Sequence, residues 1–394
     1  MSLPSSRPEP QSCNPPFDQK NAQTPTLSPS PKPLTFGIEL EFIIPSFSYP
    51  HSQERNKNHY NLAAGPYPRP TTNVREHIAL TLSTIPCISE VKIFAPDSPS
   101  SPYSTWSLER DLYLRSPSPK EGETWFGVEL NSPVLTFGSE AFEIIKQVCQ
   151  KLNSTYNLSV NESCGFHVHV GDGFEGFNAE VIRNLLVTLW VFEPLLDRLH
   201  PKHRRENNDF CPSLRETSQL KNSTVEKHPL ADQKTIARLG LEELLKPVRF
   251  EEEALGDLEN TPFPPSPSYS SDKEDSEGKH NKHDLIFLSA PVPPFGAEGG
   301  GRGRVHLENL LRAHDKKTVE FRQHEGTLDT ERIEMWVRVC VAIVEFARKT
   351  PALRLERLWR EKVGDENFAV ADMLRLLGLD EYVVKFYVKQ IEVG

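Results

Sequence analysis

Glutamate, histidine and arginine recur at alternate positions in four short segments of this chain. The segments are Thr35–Phe42, Phe126–Leu130, Gly165–Val170 and Thr318–His324, and the side chains belong to Glu39, Glu41, Glu129, His167, His169, Glu320, Arg322 and His324. Alternate side chains of a β-strand point to the same face, about 6.6 Å apart. Because the intervening residues are mostly apolar, each segment predicts a strand with one apolar face and one reactive face.

If the four strands share one sheet, their polar faces gather at least four carboxylates, two or three imidazoles and one guanidinium. Carboxylates so close together repel one another unless cations neutralise them. Carboxylate oxygens suit the hard cations Mg²⁺ and Mn²⁺, and one imidazole among them is acceptable. Arg322 on the same face is a natural partner for a phosphate, because its planar fork binds two oxygens at once.

Each motif also has a simpler interpretation when it is taken alone. Glu-x-Glu on a strand is typical of a solvated face, His-x-His can be structural, and Glu-x-Arg can be a surface ion pair. Their joint occurrence on strands of matching polarity favours a functional site. Cys164 is a possible nucleophile, although a small buried spacer is the favoured interpretation. The GGGRGR stretch that ends at Arg304 could bind phosphates, although a flexible exit from an insert is favoured.

The remaining periodicity predicts helices that pack against these strands. The expected helices begin at Ser139, at Asn178 (running to His200 with an interruption at Pro194) and at Asp329 or Thr330, and a further helix spans Thr71–Thr84. Helix-capping residues at the start and apolar residues at helical spacing support these assignments.

Composition divides the chain into folded and disordered parts. Of 394 residues, 34 are proline, and residues 1–33 lack apolar periodicity, so this Pro/Ser-rich tail is expected to be disordered. Residues 34–350 are the expected catalytic domain, with a disordered acidic and Pro-rich insert at about 251–303 that contains a possible ordered piece, Asp284–Ala290. Residues 351–394 are expected to form a helical extension.

Several classes of protein are disfavoured by the same arithmetic. The net charge of −10 argues against a general nucleic-acid binder. None of the six cysteines forms a Cys-x-x-Cys pair, which argues against a zinc ribbon. There is no run of about 18 apolar residues and no apolar leader, so we expect a cytoplasmic protein without a membrane partner.

Four segments together resemble the amidoligase family, whose fold is similar to those of glutamine synthetase and glutamate–cysteine ligase. They are FGIELEF, FGVELNSPVL, SCGFHVHVG and TVEFRQHEGTLDTERIEMWV, in the family's order over residues 34–350. Trp106 followed by Asp111 belongs to the same pattern. The family often has a serine nearby, whereas Leu112 and Tyr113 follow here, so the resemblance leaves the role of Asp111 open.

The resemblance implies an α+β fold with a glutamine-synthetase-like, curved and mostly antiparallel sheet, helices on one face and the site on the other. It implies an ATP-dependent carboxylate–amine ligase that forms an amide through an acyl phosphate, with Mg²⁺ (or Mn²⁺), on small-molecule or peptide substrates. The implied metal ligands are Glu39, Glu41, Glu129, His167 and Glu320, with His169 as the alternative to His167. The implied catalytic residues are Arg322, Glu320 and His169, and the implied ATP-binding residues are Arg322 and Arg304. The sequence does not indicate an oligomeric state.

Two other functions stay open at this point. A metal-dependent hydrolase would hold zinc on His167 and His169 and use Glu320 as a base. Zinc sites favour nitrogen and sulfur ligands, so the many carboxylates argue against this reading. A catalytically inactive binding protein with the same fold is the second alternative, and only an activity measurement separates it from the ligase.

Overall fold

The computed structural model describes residues 32–45, 74–94, 103–117, 125–205, 210–248, 280–291, 303–311, 317–363 and 365–393. The tail expected to be disordered lies outside these residues apart from Lys32 and Pro33, and so does most of the expected insert. Residues from Pro33 onward group as one compact unit, which includes the C-terminal helices. In the described parts of the chain, no helix combines the length and the apolar character needed to cross a bilayer.

One open sheet contains the eight strands of the described residues. The strands are β1 Thr35–Pro45, β2 Val91–Ile93, β3 Trp106–Arg110, β4 Trp125–Asn131, β5 Leu135–Thr136, β6 Gly165–Gly171, β7 Val305–His306 and β8 Thr318–Glu325. Their order is β2-β3-β4-β1-β6-β8-β7, with β5 paired to β1. The β2–β3 pair is parallel and the other pairs are antiparallel. The four predicted strands are therefore adjacent, and the expectation of a mostly antiparallel sheet with helices is confirmed.

Two of the described helices have the side-chain caps that the sequence indicates, whereas the helix that begins at Ser139 has Gly138 at its N-cap and no side-chain cap. The described helices are α1 Val74–Leu82, α2 Ser139–Thr155, α3 Ala179–Leu196, α4 Leu214–Thr217, α5 Gln219–Lys227, α6 Gln233–Leu244, α7 Lys282–Ser289, α8 Thr330–Lys349, α9 Ala352–Lys362, α10 Val370–Leu376 and α11 Glu381–Val393. Asn178 caps α3 by accepting from the Val181 amide, and Asp329 caps α8. Contrary to expectation, α3 continues through Pro194. Helix α7 lies inside the expected disordered insert, at the piece singled out from sequence.

The apolar face of the sheet forms the core together with the helices. Leu40 and Ile38 of β1 lie opposite Phe166 and Val168 of β6, so the apolar side chains of the two strands coincide. All four are essentially inaccessible to water, as is Trp336 of α8. Burial of such side chains contributes roughly 1.5–3 kcal/mol each, which fixes the register and therefore the positions of the polar side chains opposite.

A β-bulge interrupts the pairing of β6 with β8. Val168 lies opposite Phe321, but Phe166 lies opposite His324, so two residues of β8 face one residue of β6. An extra residue on one strand reverses the alternation beyond it. From His324 onward, the side chains of β8 therefore lie on the faces opposite to those that simple alternation predicts.

The bulge corrects one sequence expectation, because His324 lies in the core and not on the polar face. Its ring packs against Phe166, His200 and Trp336, with centroids 5.5, 5.5 and 5.7 Å away. Burial lowers the pKa of His324 to about 3, with the backbone carbonyl of Glu325 opposing that change. This histidine is therefore neutral and structural at ordinary pH.

Candidate active site

The first group of potential metal ligands consists of Glu39, His169 and Glu320. One ligand atom from each lies within 4.8 Å of the others, and all three residues are buried. Strand β6 lies between β1 and β8, and His169 is directly opposite Glu320. The His169 Nε2 atom lies 2.7 Å from Glu39 Oε1. The sequence left open whether His167 or His169 is the ligand, and assigned His169 a catalytic role; this grouping favours His169 as the ligand.

His167 stands between this group and a second one. Its Nδ1 lies 3.0 Å from Glu39 Oε2, and its Nε2 lies 3.5 Å from Glu41 Oε1. Gly165 makes room for this arrangement, because a Cβ at that position would lie 2.6 Å from His167 Nε2. The Gly165 amide also donates to Glu41 Oε2 at 2.6 Å. One imidazole therefore contacts both acidic groups.

The second group of potential ligands consists of Glu41, Asp111 and Glu129, again with one atom from each within 4.8 Å of the others. Glu41 and Glu129 are directly opposite on β1 and β4. Asp111 arrives from the segment after β3, which crosses close over Gly127. A Cβ at Gly127 would lie 2.3 Å from the Asp111 carbonyl oxygen. Glycine is therefore required at position 127. This glycine of the FGVEL motif lets the segment that carries Asp111 lie close enough for Asp111 to reach the site.

Burial and the neighbouring negative charges both oppose ionisation of Glu129 and Asp111. The pKa of Glu129 is raised well above its ordinary value by burial and then by the charges of Glu39, Glu41 and Glu109, against the Asn131 hydrogen bond. Burial also raises the pKa of Asp111. Without cations, the second group therefore favours a bound proton, which identifies it as a place where positive charge is stabilised.

The environment of Glu320 is opposite to that of Glu129, because it is rich in cationic groups and hydrogen-bond donors. Arg322 forms an ion pair with it, and His306 Nδ1 lies 3.1 Å from its Oε2. Although burial acts to raise it, the pKa of Glu320 is held well below its ordinary value by His169, His306 and Arg322. Sequence reasoning missed His306, on the two-residue strand β7. The available signal was its alternate spacing from Arg304.

Arg322 reaches from β8 toward the first group. Its Nη1 lies 3.4 Å from His167 Nδ1 and also contacts Glu320. Burial acts to lower the pKa of Arg322, but the charges of Glu320 and Glu39 raise it, so the guanidinium stays charged. Its Nε is buried and finds no hydrogen-bond partner among the described residues. The guanidinium therefore retains donor capacity for an anion.

The contacts of Arg304 favour a structural role over the predicted role in binding ATP. Its Nη1 lies 2.5 Å from Asp197 Oδ1 and 3.3 Å from Glu193 Oε1, and the residue is only 4% exposed. Its carbonyl accepts from the Arg322 amide at 2.8 Å. These contacts favour a role in attaching β7 to the end of α3 and do not bring its guanidinium to the acidic groups.

Cys164 has the character of a buried spacer. Its side chain is inaccessible to water, and burial raises the pKa of its thiol to about 11. A reactive cysteine needs a thiolate, which this environment disfavours. The structure thus agrees with the simpler of the two readings of this residue.

The two groups fit divalent cations of the hard class. The first offers two carboxylates and one imidazole, and the second offers three carboxylates. Oxygen-rich sets of this kind are preferred by Mg²⁺ and Mn²⁺ over zinc. Burial and then the charges of Glu39 and Glu41 raise the pKa of Glu129, which agrees with a site that favours bound positive charge. Of the sequence-predicted ligands, Glu39 and Glu320 lie in the first group, Glu41 and Glu129 in the second, and His167 between them.

Comparison with known proteins identifies the family. A family described as "putative amidoligase enzyme" matches residues 32–241 and 301–344, which are 254 of the 394 residues. No curated protein matches the chain. A bifunctional glutathione synthetase from Pasteurella multocida, known from a crystal structure, has 10% identity over 91% of this chain with a TM-score of 0.33. The chain spans 47% of that protein's length. Because the family match covers well over half of its residues, the chain belongs to this amidoligase family.

Proposed function

We propose that this protein is an ATP-dependent carboxylate–amine ligase that forms an amide bond through an acyl phosphate and requires Mg²⁺ or Mn²⁺. One observation carries the proposal: two acidic groups lie side by side on one face of the sheet, with His167 between them and Arg322 at the first. Membership of the amidoligase family supports the reaction class.

The charges of the two groups suggest that one binds the nucleotide phosphates and the other binds the substrate carboxylate. Glu39, His169 and Glu320 lie beside Arg322, so we assign the nucleotide phosphates to this end. Glu41, Asp111 and Glu129 then face the carboxylate that receives the phosphoryl group. Divalent cations held by these residues would neutralise phosphate and carboxylate oxygens that otherwise repel one another.

Arg322 is assigned to the transferred phosphoryl group. Phosphoryl transfer depends on positioning and charge stabilisation more than on covalent chemistry by the protein. The substrate carboxylate oxygen attacks the γ-phosphorus as the bond to the ADP oxygen breaks, and the amine then displaces phosphate from the acyl carbon. The guanidinium fork, held between Glu320 and His167, contacts oxygens whose charge changes during the first step. His169 acts as a ligand in this scheme.

ADP release provides the test, screened over pools of carboxylates and amines with Mg²⁺. We expect turnover that needs a carboxylate and an amine together and drops by about 10²-fold in Arg322→Lys, an effect similar to losing an oxyanion donor. Arg348→Lys is the matched control, because Arg348 is similarly buried and paired with Asp172, but on α8. Turnover of Arg322→Lys equal to that of an active wild type would remove Arg322 from the mechanism.

The zinc hydrolase alternative is tested by metal content. The purified protein should bind Mn²⁺ reversibly and contain substoichiometric zinc. Stoichiometric zinc that resists dialysis, together with hydrolysis of amides without ATP, would replace the ligase proposal with the hydrolase.

A further inference from the structure

Arg204 is a charged residue buried almost completely beneath the candidate site. It ends the short 3₁₀ helix Lys202–Arg204, which follows α3, and it is 1% exposed. A charged group leaves water at a high cost unless it is fully hydrogen-bonded. The partners of this guanidinium therefore indicate what its burial achieves.

Three successive backbone carbonyls accept hydrogen bonds from Arg204. Its Nε donates to the carbonyl of Gln323 at 3.1 Å, and its Nη2 donates to those of Arg322 at 3.0 Å and His324 at 2.9 Å. In a regular strand, successive carbonyls point to opposite sides and cannot converge on one side chain. They converge here because the bulge lies at Arg322 and Gln323, directly before His324.

The same guanidinium also borders the acidic groups. A Cβ at Gly165 would lie 3.1 Å from Arg204 Nη2, 3.3 Å from Glu41 Oε2 and 2.6 Å from His167 Nε2. The three side chains thus surround one small space above Gly165. Arg204 donates its hydrogen bonds to the backbone of the bulge and the residue after it.

We propose that Arg204 is a positioning residue, which fixes the bulge of β8 and thereby the direction of Arg322. The rigid fork matches three converging carbonyls, which a flexible ammonium group cannot hold in one geometry. The bulge determines where Arg322 leaves the strand and keeps His324 in the core. The target of Arg322 rests on the proposed function, whereas the control of the bulge does not.

The first experiment follows the bulge without any activity. Nitrogen-15 NMR of the histidine side chains in the full chain reports His324, assigned with His324→Phe. Its Nδ1 lies 2.6 Å from the Glu325 carbonyl, so wild type should show a neutral Nδ1–H ring from pH 7.5 to 5.5. In Arg204→Lys and Arg204→Met, we expect this signal to broaden or to become titratable. Arg348→Gln is the control, because Arg348 is largely buried and pairs with Asp172 and Glu345.

The second experiment measures the coupling between Arg204 and Arg322 in ATP turnover. Arg204→Lys should lower kcat by about 10-fold or more with KM for ATP changed less than 3-fold, because a misplacement near 1 Å can cost 10²-fold. In an Arg322→Lys background, the same change should lower kcat by less than 3-fold further. A residue with only a structural role would give additive losses.

The outcomes separate this inference from the proposed function. If wild type shows no ADP release in any pool, the proposed function fails, and the His324 signal alone decides the role of Arg204. If both Arg204 variants keep the neutral His324 signal, the inference is overturned. Should Arg204→Met not fold, Arg204→Lys decides, because it keeps the charge and three N–H donors. Additive losses of kcat would also overturn the inference.

Discussion

The Glu129→Gln substitution should make the metal-free protein more stable, although it alters a residue of the site. Ligand oxygens of Glu129, Glu41 and Asp111 lie within 4.8 Å of one another. Two unit charges at that distance repel by about 3.5 kcal/mol at an effective dielectric constant near 20. Glutamine keeps the shape, and its Oε1 can still accept from Asn131 Nδ2, which lies 3.0 Å from Glu129 Oε1.

The measured gain should be smaller than this Coulomb energy, because the wild-type carboxyl can bind a proton. Burial and neighbouring charges raise the pKa of Glu129 in the folded state. A group of this kind contributes stability below its unfolded pKa and loses that contribution as pH rises through its folded pKa. We therefore expect Glu129→Gln to gain about 1–2 kcal/mol at pH 7.5 in EDTA, and less as the pH is lowered.

Urea unfolding at pH 7.5 and pH 5.5, with EDTA or with Mg²⁺, measures this effect. Mg²⁺ should reverse the order, since a ligand at 100 times its Kd stabilises the wild type by about 2.7 kcal/mol. The Glu129→Gln variant has one ligand fewer, so Mg²⁺ should stabilise it less than it stabilises the wild type. Mn²⁺ should act in the same direction as Mg²⁺.

The control is a glutamate-to-glutamine substitution at a buried carboxylate that accepts several hydrogen bonds. Glu193 accepts from the hydroxyl of Ser213 and the amides of Leu214 and Arg215, at 2.7–2.8 Å. Glu193→Gln should therefore lose stability, by roughly 3 kcal/mol as for a broken buried pair. A loss of stability for Glu129→Gln in EDTA at pH 7.5 would refute the repulsion argument. Equal stabilisation of wild type and Glu129→Gln by Mg²⁺ would exclude Glu129 as a ligand.

Three further substitutions test separate parts of the site. Gly165→Ala places a methyl group 2.6 Å from His167 Nε2, so Mn²⁺ affinity measured by calorimetry should fall at least 10-fold; unchanged affinity would exclude the clash. Glu320→Gln should weaken Mn²⁺ binding in the same assay, whereas a plain ion pair with Arg322 would leave metal binding intact. Cys164→Ala should keep ATP turnover within about 2-fold, and native wild type should resist alkylation at Cys164, as seen by mass spectrometry; rapid alkylation would contradict its burial.

The sequence could predict the strands that are long enough to show a period. Strands β1, β4, β6 and β8 have seven to eleven residues. Because one face of each strand is buried, apolar and polar residues alternate in its sequence. Strands β2, β5 and β7 have two or three residues, too few for a period. His306 was missed for this reason, since β7 becomes a strand only through its pairing with β8.

The bulge could not be predicted, because the sequence of β8 continues its alternation of side-chain faces without interruption through His324. The shifted segment contacts Arg204, which lies over a hundred residues away along the chain. Asp111 reached the site in a similar way, through a crossing that Gly127 permits. In both cases a local pattern was overruled by a contact between segments that are distant in sequence.

The Glu-x-Glu spacing of β1 explains why the site has two groups instead of one. Glu39 is opposite His167 of β6, whereas Glu41 is opposite Glu129 of β4, so one strand supplies a carboxylate to each side. Alternate residues of a strand are about 6.6 Å apart. Glu39 therefore joins His169 and Glu320, Glu41 joins Asp111 and Glu129, and His167 lies between the two groups.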